Sequence, residues 1–268
     1  MPAFICPLCQ SPLLAQAPSW RCENGHSFDV AREGYVNLLP VQHKKSKSPG
    51  DTPDSVQARR AFLQAGHYQP LRDAVTDLLR PLAALTLLDL GCGEGYYTSA
   101  LHEVVPEVTG LDIAKPAIQL AARRFKGITW LVGSGSLLPL AAQSQDVVSS
   151  LFSPLPVAEM ARVLRPGGHV LVVTPAPEHL WTVREGLFGE VRAHEPDKFL
   201  KDFAEGFELV GRELVRYPLT LTQQALKDLL AMTPYAWKAK AERRALLEQQ
   251  DGFATEAAFS VMLFRKLA

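Results

Sequence analysis

Three of the chain's four cysteines fall in CPLCQSPLLAQAPSWRCENGH, and they form two close pairs with a histidine: Cys6 with Cys9, and Cys22 with His26. Two such pairs separated by a loop can set four donors tetrahedrally around one zinc ion. Four protein ligands leave no open position for water. The metal expected here is therefore structural, one Zn2+ per chain, stapling a segment too small to fold on its own core. The fourth cysteine, Cys92, lies inside LLDLGCGEGYYT, Leu87 to Thr98. There Gly91, Gly93 and Gly95 directly follow an apolar run and open a helical pattern, where missing Cβ atoms let the backbone turn tightly against a ligand. The spacing is G-x-G-x-G; a dinucleotide fingerprint would want glycine at the position of Tyr96, which disfavours a nicotinamide dehydrogenase. Asp89 precedes the first glycine, where a pyrophosphate would be repelled and a cationic amino-acid group welcomed. Asp112 lies 21 residues past Gly91 and ends a second apolar run. From that position a carboxylate accepts hydrogen bonds from ribose hydroxyls.

The elements that must carry these residues alternate. Strands are expected over 86–91, 107–113, 128–133, 146–153 and 169–175, with helices over 96–104, 115–125 and 157–164 between them. Such alternation predicts a mostly parallel, doubly wound sheet with helices on both faces. Two further helical patterns, VQARRAFLQAG and LRDAVTDLLRPL, precede the first strand, and LTQQALKDLLAM follows the series. FELVGRELVRYPL and AAFSVMLFRKL read as late strands, the last as an antiparallel edge. Residues 1–40 read as a small loop-rich zinc-binding module, 41–54 as a basic linker around Pro49-Gly50, and 55–268 as the α/β domain.

Basic and acidic residues number 28 each in the 268 residues, so the formal net charge is +0 and no global field draws the chain to polyanions. Any such binding falls to local clusters: His43, Lys44, Lys45 and Lys47; Arg123, Arg124 and Lys126; or Lys238, Lys240, Arg243 and Arg244. Beside the first cluster, Trp20, Phe28 and Tyr35 could stack on unpaired bases or simply fill the core of the small module. No stretch approaches the ~20 apolar residues of a spanning helix, and MPAFICPLC lacks the charged and apolar regions of a signal peptide. With clustered cysteines, this argues for a reduced, cytoplasmic setting away from membranes.

The glycine turn, Asp89, Asp112 and ARVLRPGGHVLVVTP together resemble the class I S-adenosylmethionine methyltransferases. That resemblance implies a class I α/β methyltransferase domain behind the small zinc-binding domain. It turns Asp89 toward the methionine end of the cofactor, Asp112 toward its ribose, and Ser134, after the third strand, toward its adenine. Glu94 would shape the pocket near the donor. A longer resemblance runs nearly end to end, through GHSFDVAREGYVNLLPVQHKKSK, QARRAFLQAGHYQPLRD, TPAPEHL and MTPYAWKA. On these motifs the chain is similar to the RlmA family of bacterial large-subunit (23S) rRNA guanine-N1 methyltransferases. The family match implies zinc on Cys6, Cys9, Cys22 and His26, and cofactor contacts from Tyr68 and His179 in addition to Gly91, Gly93 and Gly95. It further implies methyl transfer from S-adenosylmethionine to N1 of a guanine in an rRNA hairpin loop, by a homodimer. The chain departs from the family at Ser153 to Pro156, where SPLP replaces an APC-like segment beside the expected target base. Two readings compete with this one: a methyltransferase acting on a quinone or another small metabolite, and a silent RNA-binding assembly factor on a methyltransferase scaffold. Intact cofactor positions speak against decay, and a zinc module with a basic linker is superfluous for a small substrate.

Overall fold

In TLLDL (β5, Thr86–Leu90) every residue is buried, as a strand covered on both faces must be. A computed structural model describes residues 4–15, 17–43 and 49–267 and builds an eight-stranded sheet around β5. Its parallel part adds β4 (Tyr35–Asn37), β6 (Glu107–Asp112), β7 (Thr129–Val132), β8 (Gln145–Leu151) and β9 (Leu164–Pro175). Two long strands, β10 (Phe207–Leu221) and β11 (Phe253–Lys266), extend it antiparallel. The order is β10-β11-β9-β8-β5-β6-β7-β4. The final strand is thus antiparallel, as expected, but it is not the edge. β10 pairs along 14 of its positions and covers β11's outer side, and β11's apolar run is buried accordingly.

Alternation along the strands sorts the side chains into two layers. On one face Leu87, Val147, Val173 and Phe259 pack beneath α1 (Pro53–Gln64), α2 (Gln69–Leu79), α3 (Tyr96–Leu101) and α4 (Lys115–Arg124). On the other face Leu88, Leu131, Val148 and Met262 pack beneath α5 (Val157–Val163) and α7 (Leu200–Phe203). Two more helices, α6 (Trp181–Phe188) and α8 (Gln223–Met232), cover the first face, with α9 (Tyr235–Lys238) and α10 (Ala241–Leu247) following α8. α1 starts cleanly: Pro53 occupies its first turn, and the Thr52 hydroxyl accepts the Ser55 N–H at 3.2 Å.

The N-terminal residues form a separate three-stranded sheet, β1 (Leu13–Leu14), β2 (Ser19–Cys22) and β3 (Ser27–Asp29). This ribbon lies on the second face of the large sheet. Phe4, Leu13 and Trp20 share one core with Leu88, Leu131 and Leu140. Its first residues are tied there by a bridge between Phe4 and Leu140 and by the Ile5 N–H donating to Pro139 O at 3.1 Å. β4, within the span expected to be the small module, pairs with β7 and closes the large sheet on that side. Residue 40 is therefore not a packing boundary. Lys44, Lys45 and Lys47 lie outside the described residues.

Candidate functional site

Two tight turns present the metal quartet. The Gln10 N–H donates to Cys6 O at 2.8 Å and the Gly25 N–H to Cys22 O at 3.1 Å, with Gln10 and Gly25 both in the left-handed region. The donor atoms of Cys6, Cys9, Cys22 and His26 all lie within 4.8 Å of one another. Cys6 Sγ and Cys22 Sγ stand 3.5 and 3.4 Å from His26 Nδ1, and Cys9 Sγ is 3.7 Å from Cys22 Sγ. Zinc bonds of 2.0–2.3 Å imply tetrahedral edges of about 3.3–3.8 Å, so these three separations match the ion and the whole set needs only a small contraction to hold it. Asn24 and the Ser11 backbone pull the Cys9 thiol down to about 5, into the thiolate form that ligation needs, while burial raises Cys6.

The second site is a cavity of about 820 Å³ at the carboxyl ends of β5, β6, β7 and β8. Ligands of open α/β sheets bind at this end. Asp89, Gly91, Gly93, Glu94, Asp112 and Ser134 all line it. The turn is shaped by bonds across strand ends: the Gly91 N–H donates to Leu111 O at 2.8 Å and the Gly93 N–H to Asp112 Oδ2 at 2.9 Å. Asp112 Oδ1 accepts the Ala114 N–H at 2.7 Å. Burial pushes the Asp112 carboxyl up, opposed by these two backbone donors. A carboxylate offers about four acceptor positions, so room remains on Asp112 for two ligand hydroxyls. Asp89 is 2% exposed; its two oxygens accept the hydroxyls of Thr98 at 2.6 Å and Ser149 at 2.7 Å. Burial pushes its carboxyl up to about 6 against those bonds. Burial likewise raises Glu94, with its own backbone and then Arg59 and Arg124 pulling the other way. The cavity's size and these paired acids suit a nucleoside joined to a cationic amino acid.

The glycines divide by role. A Cβ on Gly91 would meet Ser153 Cβ at 2.4 Å, and φ there is +75°. Gly91 therefore admits the loop after β8 onto the turn. Gly95 instead faces Trp130, which a Cβ would approach to 2.7 Å, and it does not line the cavity. Tyr68 and His179 also lie outside the lining. They meet across 6.3 Å in an aromatic cluster with Phe259, and His179 Nδ1 accepts the Ala258 N–H at 3.2 Å. Burial holds His179 neutral, its pKa lowered to about 3.

Sequence reasoning did not single out Asp51, Arg59, Tyr97 or Phe152, all of which line the cavity. Arg59 pairs with Asp51 at 2.5 Å and faces Glu94 and Asp112. It lies on the α1 pattern QARRAF, which does not by itself say which arginine faces the cavity.

Among the described residues no helix is long and apolar enough to cross a membrane. Comparisons with known proteins match the two parts of the chain that carry these residues. Residues 4–47 match the model of the zinc ribbon at the RlmA N-terminus, and residues 87–168 match a methyltransferase domain model. The 23S rRNA (guanine(748)-N(1))-methyltransferase of Streptomyces fradiae is 38% identical over 87% of this chain and 85% of its own. A Bacillus subtilis protein provisionally named for guanine-N1 methylation of 23S rRNA is 35% identical, covering 92% and 91% of the two chains. Among solved structures, the YcgJ protein of Bacillus subtilis superposes with a TM-score of 0.51 over 72% of this chain and 98% of its own, at 18% identity. That last likeness concerns the fold alone.

Proposed function

The chain belongs to the RlmA family of 23S rRNA (guanine-N1)-methyltransferases, and from that premise we propose that it methylates N1 of a guanine in 23S rRNA. S-adenosylmethionine, when bound, supplies a methyl group made electrophilic by the cationic sulfonium. The observation that carries the reading is the pairing of two built sites in one chain: a four-donor ribbon and an acid-lined cavity at the strand ends.

The chain's own residues divide the work. Asp112, already holding Gly93 and Ala114, accepts the ribose hydroxyls on its remaining lone pairs. Asp89 stays in place through Thr98 and Ser149 and offers negative charge to the cationic amino-acid end. Ser134 borders the adenine, Glu94 shapes the wall beside the donor, and Gly91 and Gly93 let the backbone close on the ligand. Tyr68 and His179 support the wall from behind through Phe259. Guanine N1 carries a proton at neutral pH, and that proton passes to solvent as N1 takes up the methyl group. Catalysis is then mainly positioning, which alone can contribute ~7–11 kcal/mol. The base must leave its stack, and a hairpin loop, the substrate we infer, makes that easier. The ribbon reads the RNA and the zinc is structural. We further infer a cytoplasmic homodimer, which sedimentation would check.

The deciding experiment incubates the protein with labelled S-adenosylmethionine and large-subunit rRNA lacking its own methylation, then maps the modified nucleotide. Label on a single guanine N1 is expected. Label on no RNA, with turnover of a small metabolite instead, would overturn the proposal.

A further inference from the structure

Phe152 follows directly on β8 and lines the cavity, yet 45% of it is exposed. Its φ is +60°, a left-handed conformation that a bulky residue adopts only when its surroundings force it. The forcing groups are visible on both sides. The Phe152 N–H donates to Val173 O at 3.0 Å. The next residue, Ser153, donates through Oγ to Leu90 O at 2.8 Å and shares a 2.7 Å bond with Ser150 Oγ. Ser153 can sit there only because Gly91 lacks a side chain. Three features of the fold therefore hold one strained residue at the rim of the cavity. Its ring leans on Phe259, at 5.5 Å between centroids, and on Tyr97, at 6.4 Å. Tyr97 lines the same wall, and its hydroxyl is buried with no hydrogen-bond partner among the described residues.

Strain of this kind concentrates at functional sites, and here it holds a half-exposed aromatic ring at the rim of the cavity. A base taken out of an RNA loop loses its stacking neighbours, and an aromatic side chain can replace them. We propose that Phe152 is the platform on which the target guanine stacks during transfer, with Tyr97 and Phe259 bracing its ring. The inference rests on the guanine-N1 reading and names the residue that orients that base.

Phe152→Gly separates the ring from the backbone that carries it, because glycine is at ease at φ +60°. The variant should stay folded, relief of the strained backbone offsetting part of the lost ring packing, and bind S-adenosylmethionine within about 3-fold of wild type. Its kcat/KM on RNA should fall roughly 10- to 100-fold, and Phe152→Tyr should restore most of it. The loss should fall on kcat and on KM for RNA, with KM for S-adenosylmethionine unchanged. Wild-type kcat/KM in Phe152→Gly, or no recovery in Phe152→Tyr, would overturn the platform alone. So would a loss of cofactor affinity as large as the loss of turnover, since the ring would then belong to the cofactor site. Wild-type protein inert on RNA would overturn the guanine reading, and the platform with it.

Discussion

The ribbon and the sheet it rests on are held together by different physics. In the ribbon the strands are two to four residues long, and the donors of four side chains converge within 4.8 Å. In the sheet, eight strands bury apolar residues on both faces, and the site is an opening left at their ends. One region is specified by a few residues at fixed spacing; the other by alternation spread over some 180 residues, about the size at which a single core suffices. The two are nonetheless welded, because Phe4, Leu13 and Trp20 bury against the sheet. Loss of the metal should therefore be felt in the ribbon first and in the sheet's outer face second.

Metal removal tests that contrast most severely. Structural zinc supplies an apparent ~10–16 kcal/mol to small modules. Elemental analysis should find close to one zinc per chain, and Cys22→Ser should lose it. Methylation of RNA should then drop at least ~100-fold by the loss of the reading surface, while calorimetric cofactor affinity changes less than about 3-fold, since no ligand of the cavity is touched. A metal-free variant that still methylates rRNA would remove the ribbon from recognition.

Asp112→Ala is the reciprocal change, confined to the sheet. It deletes the acceptor of two backbone N–H groups and of the inferred ribose hydroxyls. Hydrogen bonds to a charged acceptor contribute ~1.5–3 kcal/mol each, so losing two ribose hydroxyl bonds should raise the cofactor Kd by at least roughly 100-fold with zinc content unchanged. Unchanged affinity would count against this assignment of Asp112.

How far these regions were legible follows from the same difference. The quartet's spacing predicted its geometry, because short turns leave two close pairs few ways to converge. Asp89, Gly91 and Asp112 were legible for a similar reason, each lying at the end of an apolar run. Gly95 reads from the sequence as a glycine turned to a ligand, whereas the fold sets Trp130 against it and leaves it off the cavity wall. Phe152 and Arg59 join the cavity from elements distant in the chain, and nothing local marks a positive φ at a phenylalanine; the family resemblance alone puts Ser153 near the site. Of the two late strands, the polar and largely exposed β10 is the edge, and it covers the apolar last strand along its length.

A buried histidine distinguishes the sheet by pH. His179 has its pKa lowered from 6.5 to about 3 by burial, with His194 and Arg184 adding to the effect. The unfolded chain therefore binds this proton first, and the associated stability is full above pH 6.5 and lost as pH falls toward 3, at about 1.4 kcal/mol per unit. Asp89 works in the opposite sense: its pKa is raised from 3.8 to about 6, so its proton favours the folded state as pH falls from 6 toward 4. Comparing wild type with His179→Asn, whose side-chain oxygen can still accept the Ala258 N–H, cancels the Asp89 contribution. In urea titrations the variant should gain on wild type by about 2 kcal/mol between pH 6.5 and 5. Parallel pH profiles would mean that His179 takes up its proton without leaving its place.

The basic run next to the ribbon gives the smallest effect and the finest distinction. Lys44, Lys45 and Lys47 are assigned no cofactor or metal role, so their replacement by alanine should leave zinc content, cofactor affinity and melting temperature as they are. What they can supply is phosphate neutralisation, which the rest of a chain with +0 net charge supplies weakly. Each phosphate contact on a single strand adds about 0.7 to the slope of log K against log salt. The triple variant should thus bind RNA several-fold more weakly at low salt, with a slope shallower by about 2 and no change in which guanine is methylated. A shifted methylation position would show instead that these lysines set the register of the RNA, a role the ribbon is otherwise expected to fill.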